Sequence, residues 1–116
     1  MDCYNFLFPK REQAIAPSVQ VIAKRTLRLF WDHHPAAKTP LMIWHARVDR
    51  ATWLGPADVK AMFGTTVDFV GDNRIIFDLG GNKFRLVIHV AYRFQRVLVK
   101  FVGTHAEYDR INAETV

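Results

Sequence analysis

The alternation of apolar and polar residues between Asn73 and Asp109 constrains the fold more than any other feature of the sequence. Successive side chains of a strand point to opposite faces of a sheet, so this alternation is typical of a sheet with one buried face. We therefore predict three strands joined by two short turns. The first turn contains Gly80, Gly81 and Asn82, which tolerate the positive φ of a tight hairpin.

The two strands after that turn each have an apolar side and a charged side. The middle strand should bury four residues at alternate positions: Phe84, Leu86, Ile88 and Val90. The last strand should bury three in the same way: Val97, Val99 and Phe101. The intervening positions share the face that the core does not need, and they include four cations: Lys83, Arg85, Arg96 and Lys100. We expect the functional site on this basic, uncovered face.

The chain before the sheet begins with a short strand pattern at Val19 to Ile22 and continues with a helical one. From Ala23 to His34 the apolar residues recur at steps of three and four, which predicts a helix with one buried stripe. Pro35 should help to end that helix. The adjacent His33 and His34 point in different directions on a helix, so we expect them to cap its end rather than to bind a metal together.

A second helix is predicted to start at Thr39 as N-cap, with Pro40 at the first helical position. It should fade near Trp53, and the two helices with their short link predict a helical hairpin. A third, shorter helix is predicted over Pro56–Phe63, closed by Gly64.

A further strand is predicted from Thr66 to Val70. The resulting order is one strand, two helices, a short helix and four strands. This order predicts an α+β domain in which the helical hairpin packs on one face of a mostly antiparallel sheet. With 116 residues, half of them hydrophobic, the chain has room for one domain. We assign it to residues 18–116 and expect residues 1–17 to be an N-terminal extension, partly disordered, outside the fold.

Charge and cysteine content narrow the class of protein. Sixteen Lys and Arg against eleven Asp and Glu leave a net charge of +5. This charge favours an anionic partner such as nucleic acid. The alternative is a soluble domain that is basic without having such a partner. Cys3 is the only cysteine, so we expect neither a disulfide framework nor a CxxC metal site. The lack of disulfides is typical of intracellular proteins, and we therefore expect a cytoplasmic location. No stretch approaches the roughly 18 apolar residues of a membrane span, and the start does not resemble a secretion signal.

Several segments together resemble the HigB toxins of bacterial type II toxin–antitoxin systems. They are KRTLRLFWDHHP before the second helix, PADVKAMFG after it, GGNKFRLVIHV in the middle strand and FVGTHAEYDRI at the end of the last strand. The resemblance runs from about Val19 to Ile111. It implies a RelE-like fold and a messenger-RNA interferase that acts with the translating ribosome. It also implies a helix-turn-helix antitoxin, HigA, which binds and blocks the toxin and represses the operon, so that operator DNA is contacted only through the antitoxin.

The chemistry of the residues is compatible with that activity. RNA cleavage without a metal uses the 2′-hydroxyl of the substrate as nucleophile, and it needs a proton acceptor, a proton donor and cations near the phosphate. Lys83 and Arg85 are two apart in a strand, and Arg85 is expected to stabilise the transition-state charge. His105 is the natural acid or base because histidine exchanges protons near neutrality. Tyr108 is expected to orient the nucleotide, stack on a base or take part in proton transfer. No metal or cofactor is expected.

Each of these residues also has a purely structural interpretation. His105 would cap the strand end, Tyr108 would anchor the C-terminal segment, and Lys83 would be a solvated turn residue. A second group of cations is expected to bind the backbone of messenger or ribosomal RNA, or to be ordinary solvated charges. That group is Arg74, Arg93, Arg96, Lys100 and, with less support, His89.

Two other functions remain open at the level of sequence. One is a noncatalytic RNA-binding or antitoxin-binding repressor module on the same fold. The other is a degenerate toxin that still binds its antitoxin but has lost activity. The cluster of His105 and Tyr108 discriminates among them, because only an enzyme needs it for turnover.

Overall fold

A five-stranded sheet carries the fold in the computed structural model, which describes residues 18–116. The strands lie side by side in the order β1-β5-β4-β3-β2, and only the β1 and β5 pair is parallel. The predicted α+β class with a mostly antiparallel sheet is therefore confirmed. The predicted extension at residues 1–17 lies outside the described residues. The strands are β1 (Gln20–Ile22), β2 (Val67–Val70), β3 (Arg74–Leu79), β4 (Phe84–Ala91) and β5 (Arg96–Thr104).

Four helices accompany the sheet in this part of the chain: α1 (Lys24–His33), α2 (Lys38–Asp49), α3 (Pro56–Phe63) and the short α4 (His105–Tyr108). The predicted helix ends at Pro35 and Gly64 are confirmed. The Nδ1 atoms of His33 and His34 lie 3.0 and 3.4 Å from the carbonyl oxygens of Leu29 and Phe30, so both imidazoles cap the last turn of α1. Within residues 18–116 no helix is long and apolar enough to cross a membrane.

The predicted limits of the second helix are wrong at both ends. Pro35 begins a single 3₁₀ turn that leads directly into α2, so Thr39 already lies inside the helix and no side chain caps its start. The helix ends at Asp49, because the chain then turns inward to place Trp53 in the core. There the Trp53 amide donates to the Gln95 Oε1 at 2.9 Å.

The main hydrophobic core lies between the helices and one face of the sheet. Trp44 from α2 and Phe63 from α3 both meet the ring of Phe77 edge-on, at centroid distances of 5.5 and 4.8 Å. Trp53 is buried as completely as Trp44, so both indoles are packing residues of this core. The Nε2 atom of His45 is also buried, and it has no hydrogen-bond partner among the described residues.

A β-bulge in β5 changes which residues face the core. Ile88 pairs with Val99 and Val87 pairs with Phe101, so Lys100 is left without a partner opposite it. The extra residue reverses the alternation beyond this point. Phe101 therefore packs on the second face of the sheet and Val102 against the main core, the opposite of the predicted arrangement.

The second face of the sheet is not uncovered, contrary to the prediction. Its centre, Ile76 and Val87, is buried under the C-terminal segment, which contributes Ala113 and Val116. Arg74 fastens that segment: its Nη1 donates to the Glu114 carbonyl at 2.8 Å and its Nη2 to the Val116 carbonyl at 2.9 Å. The sequence pattern did not reveal this covering because it comes from residues far along the chain. A functional site is thereby confined to the ends of this face.

Gly103 is expected to be the glycine least tolerant of a side chain. A Cβ there would lie 2.5 Å from Cζ of Phe101 and 2.9 Å from Oε1 of Glu107. Gly103→Ala should destabilise the fold by about 1–3 kcal/mol, the usual cost of overpacking, which urea denaturation measures. Gly71→Ala is the matched control, because a Cβ at Gly71 meets nothing within 4 Å. Equal midpoints for the two variants would contradict the packing around Phe101.

Candidate active site

The end of β5 and the turn between β3 and β4 meet through the start of α4. Thr104 and Glu107 form a capping box: the Glu107 amide donates to Thr104 Oγ1 at 3.2 Å, and the Thr104 amide donates to Glu107 Oε1 at 2.8 Å. The next amide, of His105, donates to the carbonyl of Lys83 at 3.1 Å. These bonds hold the first turn of α4 against the hairpin turn, so His105 lies beside Lys83.

Arg85 lies at the start of β4 and is nearly buried, with its side chain 11% exposed. Its Nε forms an ion pair with Oδ1 of Asp78 at 3.1 Å, and its Nη1 donates to the carbonyl of Asn82 at 3.3 Å. Asp78 is directly opposite Arg85 in the β3–β4 register. Within residues 18–116 the polar contacts of this guanidinium use Nε and Nη1. Its orientation is thus held by the protein while Nη2 is left for another acceptor.

Tyr108 connects this guanidinium to the second hydrophobic cluster. The Cζ atom of Arg85 lies 5.8 Å from the centroid of the Tyr108 ring, which is within the range of a cation–π contact. On its other side the ring tilts against Phe101, with centroids 6.4 Å apart. The half-buried ring therefore packs against the second hydrophobic cluster. Its hydroxyl makes no hydrogen bond to the part of the chain that the structure describes, so it is available to a ligand.

His105 is exposed, with 48% of its side chain accessible. Its Nδ1 lies 3.2 Å from Oδ2 of Asp109, one turn further along. A carboxylate can only accept, so Asp109 beside Nδ1 favours the imidazole form that carries its proton on Nδ1 and leaves Nε2 as an acceptor. The pair orients a ring that can take up a proton from a molecule in solution.

The four predicted catalytic residues therefore lie at one end of the sheet: Lys83, Arg85, His105 and Tyr108. Lys83 lies in the exposed turn, immediately before β4 begins. The backbone bond from His105 to Lys83 keeps it at this end.

Arg74 and His89 lie elsewhere on the second face, opposite one another where β3 begins. Arg74 forms an ion pair with Asp72 at 3.0 Å besides holding the C-terminal carbonyls. His89 Nε2 lies 3.8 Å from the same Asp72 carboxylate, and its side chain is 37% exposed. Of the two, His89 is the one open to a ligand.

Arg93, Arg96 and Lys100 are spread along β5 and the turn before it. Arg93 and Arg96 are exposed at the end of the β4–β5 hairpin, six or more residues from Arg85 along the strands and so roughly 20 Å away. Lys100 is the half-buried bulge residue between the two ends. These cations do not join the cluster around Arg85. In the same hairpin turn, burial raises the pKa of the Tyr92 phenol, which keeps it protonated against the core.

Asp78 is the site residue that the sequence analysis missed. The length of the hairpin turn is the sequence signal that could have found it. Leu79 pairs with Phe84 across a four-residue turn. The next pair in the ladder is therefore Asp78 with Arg85. Opposite charges at such a pair attract. No group of three or more His, Cys, Asp or Glu residues that could hold a metal ion occurs between Ser18 and Val116.

Comparison with known proteins agrees with the resemblance seen in the sequence. The profile of the HigB toxin family, described as the RelE-like toxic component of a toxin–antitoxin system, matches residues 37–111, more than half of the chain. The chain is 28% identical over 96 residues to the mRNA interferase toxin HigB of Escherichia coli K12, covering 82% of this chain and 92% of that protein. The mRNA interferase HigB of Shigella flexneri matches with the same identity and coverage. The mRNA interferase HigB of Escherichia coli O6:H1 is 30% identical over 57 residues, 48% of this chain and 55% of that protein.

Proposed function

This chain belongs to the HigB toxin family, the RelE-like toxic components of toxin–antitoxin systems, and we propose that it is a ribosome-dependent endoribonuclease that cuts messenger RNA and thereby inhibits translation. The observation that carries the proposal is the convergence of a fixed guanidinium, a phenol and an oriented imidazole at one end of the sheet. The names of the relatives from Escherichia coli K12 and Shigella flexneri, which describe them as mRNA interferases, support the same reaction.

The proposed reaction is attack of an RNA 2′-hydroxyl on the adjacent phosphate. We assign proton removal to His105, because Asp109 beside Nδ1 favours Nε2 as the acceptor. We assign protonation of the departing 5′-oxygen to the Tyr108 hydroxyl. Arg85 stabilises the charge on the phosphate through Nη2, and Lys83 adds a cation from the turn. All of these groups belong to the protein, so the proposed reaction needs neither a metal nor a cofactor.

Cations outside this cluster are proposed to hold RNA by its backbone, which attracts positive charge without sequence readout. His89 and the cations along the β4–β5 hairpin are the candidates, namely Arg93, Arg96 and Lys100. Arg74 is assigned a structural role, because its side chain is only 11% exposed and bound to the C-terminal segment.

As the toxin of a toxin–antitoxin system the chain has an antitoxin partner. We propose that this partner is a HigA-like helix-turn-helix protein, that it carries the contact with operator DNA, and that toxin and antitoxin act in the cytoplasm. We also propose that residues 18–116 form the toxin domain, that α1 and α2 act in it as a helical hairpin, and that residues 1–17 are an extension.

Cleavage of a defined messenger RNA by the purified chain, with and without 70S ribosomes, tests the proposal. We expect cuts that require ribosomes. Ribosome binding without any cleavage would instead favour the noncatalytic binding module. The near-complete burial of Arg85 is the structural observation that supports this alternative. Equal cleavage of free and ribosome-bound RNA would contradict the ribosome dependence, but it would still support the proposed endoribonuclease activity.

A further inference from the structure

Strand β1 covers only the first third of β5. Its three residues pair with Arg96, Val97 and Leu98, and the chain then leaves the sheet at Ala23, whose φ of 72° turns it into α1. From Val99 to Thr104 no other described strand lies on this side of β5. Such an edge presents main-chain donors and acceptors that can pair with another chain.

The register shows which groups this free edge offers. The bond from the His105 amide to the Lys83 carbonyl continues the ladder between β4 and β5. Because bonded and non-bonded pairs alternate in an antiparallel ladder, Gly103 also turns its groups towards β4, while Val102 and Thr104 turn theirs outward. The Thr104 amide is bonded to Glu107. The amide and carbonyl of Val102 therefore form the open part of the edge.

A groove of about 560 Å³ runs beside this edge, between α1 on one side and α4 with the residues after it on the other. Its walls are mainly apolar, and Leu29 of α1 is 50% exposed in it. Its charged or titratable lining residues are His33, His34, Arg110 and Glu107. The Glu107 carboxylate is already engaged in the capping box, so the groove favours an anionic group at Arg110.

We propose that this edge and groove bind an extended segment of the antitoxin, which adds a strand to β5. The inference rests on the proposed function in so far as the partner is the antitoxin of this toxin. The segment that fits forms main-chain bonds with Val102, places an apolar side chain against Leu29 and presents a carboxylate to Arg110. A positive net charge of the toxin favours such an acidic segment.

The position of the groove also explains inhibition. Glu107 and Arg110 line it, while His105 and Tyr108 of the same short helix belong to the candidate active site. A strand that extends along β5 therefore ends at the first turn of α4, directly beside His105. The antitoxin blocks the toxin at this point without having to imitate RNA.

The test uses the full chain and a purified candidate antitoxin, the HigA-like helix-turn-helix protein proposed above. Leu29→Glu places a carboxylate in the groove, and Met42→Glu is the matched control on α2, since Met42 is also 50% exposed and lines a different groove. By isothermal titration calorimetry we expect Leu29→Glu to weaken binding at least about tenfold, or 1.4 kcal/mol, and Met42→Glu less than twofold. Equal affinities, or a greater loss with Met42→Glu, would overturn the proposal.

Amide hydrogen exchange of the wild-type chain gives a second readout. The Val102 amide should exchange at least about 100-fold more slowly in the complex, because it acquires a strand partner. An unchanged rate would overturn strand addition, and the same protection in the concentrated chain alone would identify a second copy as the occupant. RNA cleavage is measured separately, so a failure of the proposed nuclease activity would not alter either binding result.

Discussion

Replacing Arg85 by alanine is expected to lower the rate of ribosome-dependent cleavage by at least about 10²–10³-fold, the usual effect of removing one fixed charge-stabilising donor. The physical reason is that Asp78 and the Asn82 carbonyl hold the guanidinium in one orientation before RNA arrives. Single-turnover cleavage on programmed ribosomes measures the effect. Arg25→Ala removes an exposed cation of α1 that has no assigned role, and it should cleave at the wild-type rate.

Loss of stability is the competing explanation for an inactive Arg85→Ala variant, because the change leaves the carboxylate of Asp78 without its cation. The double variant Asp78→Ala, Arg85→Ala removes both charges. It should regain much of the stability in urea denaturation, since an unpaired half-buried charge costs more than a missing pair. It should remain inactive. Cleavage near the wild-type rate by either folded variant would contradict the role of Arg85.

The alternation of the sequence predicted the strands of the sheet and the hairpin turn at Gly80 to Asn82, where all three residues have positive φ. These features are local: a strand needs only its own pattern, and a tight turn needs residues that accept the left-handed region. The start of α4 was also encoded locally. Thr104 and Glu107 have the sequence spacing of a capping box, and they form one in the structure.

The features that could not be predicted depend on contacts between distant residues. The bulge at Lys100 shifts the later part of β5 by one residue, and no local pattern distinguishes it from regular alternation. The covering of Ile76 and Val87 by the C-terminal segment likewise requires the tertiary fold, including the two bonds that Arg74 makes to that segment. Both features act on the candidate site, because the bulge brings Phe101 to the face where it supports Tyr108.

His105→Ala is expected to reduce single-turnover cleavage by about 10²–10⁴-fold, the usual contribution of a positioned general base. Tyr108→Phe should cause a loss of the same order if the hydroxyl is the acid, because phenylalanine keeps the ring against Phe101 and Arg85. The double variant should fall less than the product of the two single losses, since residues that act as one unit are not additive. Ribosome binding, measured by co-sedimentation, should persist in all three variants.

Asp109→Ala separates orientation from proton transfer at the same site. The pair it forms with His105 is exposed, 61% for Asp109 and 48% for His105, and exposed ion pairs contribute about 0–1 kcal/mol. A loss of at most about fivefold in cleavage is therefore expected from Asp109→Ala, since 1.36 kcal/mol corresponds to a factor of ten in rate. If Asp109→Ala were as damaging as His105→Ala, the carboxylate would take part in the reaction itself. If His105→Ala cleaved normally, the imidazole would be only the cap that the structural interpretation describes, and the base would have to be sought in another residue.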